Sequence, residues 1–288
     1  MRKNNVPASG VQYRVVTVTP DLAEKWLSQN IRNRNLRDKA IMAYARDMEA
    51  GNWAENGEGL KFAKGGVLLL DGPQPLYGGP LLDGQHRLHA ICLSGVTLTM
   101  LVVTGLEGSA QETMDDGRKR TLADALNLRN ESNSVILGAL LRRALMWEMG
   151  QFRNTGAYTP TNAECLAFLE DHPECRESAL IAAAVRKPSK LPASILGLTH
   201  WLFTGIDRGD SVWFFDRLAS GAELRQYHPV WTLRKRATEL ADETGRIPED
   251  MLLAFVIKAW NAYRDGTELR LLRFKPGGAT AEKFPLPR

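Results

Sequence analysis

Between two apolar runs, Pro80-Leu81-Leu82 and Leu88-His89-Ala90-Ile91-Cys92-Leu93-Ser94, the chain carries Asp83-Gly84-Gln85-His86-Arg87. Five polar or flexible residues in that position predict a strand, a tight glycine turn and a helix start. The first backbone N–H groups of a helix lack internal acceptors and carry the positive end of its dipole, so such a turn suits an anion. Arg87 adds a planar cationic fork matched to phosphate oxygens. His86 adds a ring that can donate, accept or titrate. Gln85 can read a base or ribose, or satisfy the turn. Asp83 can accept from a ligand hydroxyl, hold a metal-bound water, or cap the helix.

The same reading organises the residues around it. Gln12 to Val18 partly alternates, is rich in β-branched residues and predicts a strand. A helix follows from Thr19-Pro20-Asp21, with Leu22, Ala23, Trp26 and Leu27 on one face. A second helix carries Leu36, Ala40, Ile41, Tyr44, Ala45 and Met48 and ends at Gly51. Leu60-Lys61-Phe62 and Thr97 to Val103 read as further strands. Lys64 to Pro80 holds five glycines and three prolines, which predicts a loop or loose hairpin forming a flap beside the turn. From Ser109 onward the periodicity is helical, with candidates at 122–128, 135–149, 163–169, 178–185, 191–203, 213–218, 228–240 and 251–263. Thr161-x-x-Glu164 is a capping box. The expected fold class is α+β: an α/β domain over residues 11–125, an all-helical domain over 126–270, and an extended surface tail over 271–288.

Composition excludes some classes. The 288 residues are 44% hydrophobic and 24% charged, the profile of a globular protein. No apolar run approaches the roughly 18–20 residues of a membrane span, and no secretory core follows Met1-Arg2-Lys3, so a cytoplasmic protein without a membrane partner is expected. Cys92, Cys165 and Cys175 read as buried free thiols, and the five histidines do not pair with them at zinc-like spacing, so no metal site is assigned. The net charge of +4 is mild. Its clusters are Arg118-Lys119-Arg120, Arg142-Arg143 and Arg234-Lys235-Arg236; they favour a polyanionic partner against the plainer reading of solvated faces. The tryptophans at 147, 201, 213, 231 and 260 fall in apolar helical patterns and read as core.

The block at 83–87 resembles the D-G-Q-H-R signature of the ParB/sulfiredoxin-like superfamily, and the likeness covers roughly residues 11–125. The resemblance implies a nucleotide phosphate site at Gly84, His86 and Arg87, and a nucleoside triphosphate, CTP or ATP, as ligand. It extends to the Asn30-Ile31-Arg32-Asn33-Arg34 loop, where Arg34 is the candidate contact, and to Asp115-Asp116-Gly117-Arg118-Lys119-Arg120. There Asp115 is a candidate for orienting a metal-bound water, a substrate hydroxyl or Arg87, and Arg120 for meeting phosphate. Arg118 and Lys119 are candidate DNA contacts. The implied protein acts in DNA metabolism, is phage- or mobile-element-derived, and is compatible with a homodimer. Three rivals stay open: a phosphotransferase using Mg²⁺, Arg87 and an acid at Asp83 or Asp115; a nuclease, for which the sequence shows no two-metal carboxylate set; and a non-catalytic nucleotide switch.

Overall fold

A computed structural model describes residues 10–28, 36–66, 68, 76–114, 121–152, 158–242, 247–278 and 280–288. The chain is α+β and divides into two compact units, residues 1–119 and 120–288.

In the first unit β1 (Gln12–Val18) alternates as its sequence does, with Val16 and Val18 buried and Tyr13 and Val15 exposed. Thr19 accepts the Leu22 N–H and Pro20 takes the first helical position, so α1 (Pro20–Ser28) starts at once. The next helix, α2 (Asp38–Glu49), buries Ile41, Ala45 and Met48. Then follow β2 (Leu60–Ala63), β3 (Leu81–Asp83), α3 (Gln85–Ser94) and β4 (Leu98–Leu106), with a 3₁₀ turn at Gly108–Thr113. The sheet runs β1-β4-β2-β3; β4 pairs antiparallel with β1 and parallel with β2, and β2 pairs antiparallel with β3. Its inner face meets the three helices in one core built on Val18, Trp26, Phe62, Leu88 and Ile91. Trp26 is fully buried, sets its ring edge-on to Phe62 with centroids 5.3 Å apart, and donates its Nε1–H to the Leu68 carbonyl at 3.2 Å.

That last bond bears on the glycine-rich stretch. Residues 67 and 69–75 lie outside the described residues. The base of the stretch does not have the loose attachment of a flap: Leu68 and Leu76 are each 1% exposed, and the Leu68 N–H donates to the Leu76 carbonyl at 2.9 Å.

Among the described residues the second unit is helical: α4 (Leu122–Leu128), α5 (Ser134–Glu148), α6 (Asn162–Asp171), α7 (Cys175–Ser189), α8 (Ala193–Ile206), α9 (Arg208–Ser220), α10 (Pro229–Asp242) and α11 (Glu249–Arg264). Leu122 and Leu126 pack into its core, so α4 belongs here and not to the preceding α/β unit. The Thr161–Glu164 capping box forms, and so does one at Thr121–Asp124. Phe203 stacks on Trp260 at 4.1 Å in the middle of the unit. Trp147, Trp201 and Trp213 pack against the same core.

Two expectations need correction. The described residues of 271–288 hold no helix or strand, yet they are built into the unit: Leu272 and Phe274 are buried and Phe284 stacks on Phe152 at 5.5 Å. The Arg288 and Leu286 carbonyls accept from Trp260 Nε1 and Asn261 Nδ2 of α11. Cys165 and Cys175 are buried as expected, but Cys92 is exposed in the last turn of α3, its Sγ 3.7 Å from the Pro20 carbonyl.

Candidate functional site

The strand-to-helix turn exists as the sequence implies. Gly84 joins β3 to α3 at φ +107°, a conformation that side chains rarely adopt, and an added Cβ would lie 2.4 Å from Leu60 Cδ2. Only glycine fits. The helix opens with no side-chain cap and no acid in its first turn. Its first turn therefore keeps the polarity that suits an anion.

The side chains of the turn face inward. Gln85 and His86 are 4% and 8% exposed. His86 Nε2 accepts the backbone N–H of Arg37, the residue that caps α2, at 3.1 Å. The imidazole thus ties the starts of two helices together, and that contact requires Nε2 without a proton.

Arg87 is committed within the protein. Its Nη1 donates to the Glu58 carbonyl and its Nη2 to the Gly59 carbonyl at 3.0 Å, with Asp83 Oδ2 at 3.4 Å. Asp83 Oδ2 also meets Lys61 Nζ at 3.2 Å. The Arg87 and Asp83 side chains are each 11% exposed. This cluster staples the α3 start to the approach of β2. Glu58 takes part through its backbone, not as the carboxylate a general base would need. The pairing with Lys61 and Arg87 occupies Asp83 Oδ2 as an oxygen ligand for Mg²⁺. Among the described residues no group of three or more His, Cys, Asp or Glu is placed to hold a metal ion. The described part of the site therefore does not fit a protein-held Mg²⁺, and no step is routed through one.

Beyond the turn, Gln111 of the 3₁₀ segment donates to the Leu82 carbonyl at 3.0 Å, which brings the end of β3 against the chain leading to residue 115. Lys61 and Gln111 are the participants that sequence reading passes over. Lys61 had a signal, since a lysine between Leu60 and Phe62 must face away from their core; Gln111 had none. Arg34, Asp115, Arg118, Lys119 and Arg120 lie outside the described residues.

The clusters at Arg142-Arg143 and Arg234-Lys235-Arg236 lie in the second unit. Arg142 donates to the Pro160 carbonyl and to Asn162. Arg143 is 6% exposed, and burial pushes its guanidinium below the usual arginine range against the opposing pull of Glu249 and Asp250. Arg234 donates to the Leu218 and Ala219 carbonyls at the end of α9, while Lys235 and Arg236 pair with Glu239. Helix termini leave carbonyls unsatisfied, and arginine is the side chain that reaches them. Arg142 and Arg234 are thereby turned inward to backbone carbonyls and Arg143 is buried, whereas the Lys235 side chain stays 59% exposed at 3.9 Å from Glu239.

Among the described residues no helix is long and apolar enough to cross a membrane. Comparison of the chain with protein-family models, with curated proteins and with solved structures finds no match.

Proposed function

We propose that the chain binds a nucleoside triphosphate, CTP or ATP, through its phosphates at the start of α3, and that it acts in DNA metabolism. The observation that carries this reading is the opening of α3: a glycine-only turn, then a helix start with neither a side-chain cap nor an acid in its first turn. The resemblance of residues 83–87 to the ParB/sulfiredoxin-like signature supports the same ligand class and suggests that fold for the first unit; a cytoplasmic location is proposed separately, from the sequence's lack of a membrane span or secretory core. In this reading the phosphates meet backbone N–H groups of the first turn. Arg87 and Asp83 hold those groups in place rather than reaching the ligand. The ion pairs of Asp83 favour a binding role over a phosphotransferase, because Lys61 and Arg87 engage the oxygen that a general base would present to an acceptor hydroxyl.

Mass spectrometry of small molecules retained by the purified protein, followed by calorimetry with ATP, CTP, GTP and UTP, tests the proposal. The expected result is binding of one or more of them, competed by inorganic tripolyphosphate. If none of the four binds at millimolar concentration, or tripolyphosphate fails to compete, the phosphate reading fails. Arg87→Ala is a poor probe here, since it removes the staple along with any charge.

A further inference from the structure

The second unit holds a cavity of about 390 Å³ between α7, α8 and the start of α9. That is the size of a small-molecule site. At its floor Ser178 Oγ and His200 Nδ1 lie 2.9 Å apart, 2% and 4% exposed. Trp201, Leu202 and Gly205 contribute to its lining, and Glu174, Glu177 and Arg208 supply its charges.

The charges are arranged rather than scattered. Glu174 Oε1 accepts from Trp201 Nε1 at 2.9 Å and lies 3.2 Å from His172 Nδ1, and those hydrogen bonds hold its carboxyl below the usual carboxylate range despite the opposing effect of burial. Oε1 of the group is thereby fixed at the lining. Glu177 stands one helical turn further along α7 and meets Arg208 at 2.7 Å. The lining therefore holds two carboxylates, one paired with the Arg208 guanidinium and the other with the His172 ring. Burial keeps His200 neutral, with its proton affinity lowered to about 4, so it adds no opposing charge. Its Nδ1 is engaged by Ser178 at 2.9 Å. Ser178 itself is too deeply buried to act as a nucleophile toward an incoming substrate.

We infer that this cavity binds a small organic cation: an ammonium or guanidinium group held by Glu174 and Glu177, with an apolar body against Trp201 and Leu202. A fixed anion beside an indole and an apolar wall is the chemistry that recognises such a molecule. The site lies in the second unit and stands or falls independently of nucleotide binding at α3.

The test uses the full chain, with phenethylammonium as probe and 2-phenylethanol as its uncharged counterpart. Binding is followed by NMR through ligand saturation transfer and the His200 ring resonances. The cation is expected to bind and to shift the His200 signals, with the alcohol at least about tenfold weaker. Glu174→Gln is expected to weaken the cation about tenfold or more, the cost of losing a charge-assisted contact, with little effect on the alcohol. Glu177→Gln, which also frees Arg208 to repel a cation, should act in the same direction and serves if Glu174→Gln does not fold. Equal affinity for cation and alcohol, no binding of the cation at millimolar concentration, or unchanged affinity in a folded carboxylate variant overturns the proposal.

Discussion

His200 is an imidazole that the fold keeps uncharged. Burial lowers its pKa from an ordinary 6.5 to about 4, against a smaller pull from Glu177 in the other direction. The unfolded chain takes up a proton as pH falls through 6.5, whereas the folded chain does so only near 4. Stability is therefore lost across that window and no further below it, by about 3 kcal/mol from this residue. His200→Gln keeps a hydrogen-bonding group beside Ser178 but cannot be protonated. Denaturation at pH 7, 5.5 and 4 should show wild type losing that much more stability than the variant; parallel pH profiles would show that His200 does not titrate this way. Nothing in the sequence marks this residue, because its partner lies 22 positions away on a different helix. Arg87 teaches the complementary lesson. Its position at a helix start was legible, but the direction of its guanidinium was not, since the carbonyls of Glu58 and Gly59 that receive it carry no sequence signature.

Elements were easier to read than contacts. The spans of β1 and α4 match the periodicity residue for residue, because alternation and helical spacing are local properties. Helix ends drifted where the apolar pattern is silent: α7 begins at Cys175, ahead of the apolar run that announces it. The two glycines bracketing α3 make a measurable contrast. Gly84 and Gly95 both have positive φ, but a Cβ at Gly95 meets nothing within 4 Å while one at Gly84 strikes Leu60. Gly95→Ala should cost about 1 kcal/mol of backbone strain, and Gly84→Ala about 2–4 kcal/mol because strain and overpacking add. Urea denaturation of the two variants reads the difference directly. Equal costs would mean that Leu60 gives way and that the turn tolerates a side chain.

For the whole molecule, part of the basic charge is turned away from a polyanion, since Arg142 and Arg234 donate to backbone carbonyls of the second unit and Arg143 is buried. Arg118, Lys119 and Arg120 are then the densest remaining cluster, and the proposed DNA contact rests on them. Replacing all three with alanine should lower the slope of log affinity against log salt by about 2–3 units. A wild-type slope in the triple variant, or no DNA binding by wild type at low salt, counts against that contact. The sheet order sets a schedule as well. β1 is an edge strand whose partner is β4, and the paired residues stand roughly eighty to ninety positions apart, a separation that slows pairing. At the pace of a ribosome, about 5–20 residues per second, Tyr13 and Val15 emerge on the order of ten seconds before Leu101 and Val103 can meet them. For that interval the nascent chain carries a sticky, unpaired strand. A cell making this protein must either shield that strand with a chaperone or lose part of each batch to aggregates, however stable the finished sheet.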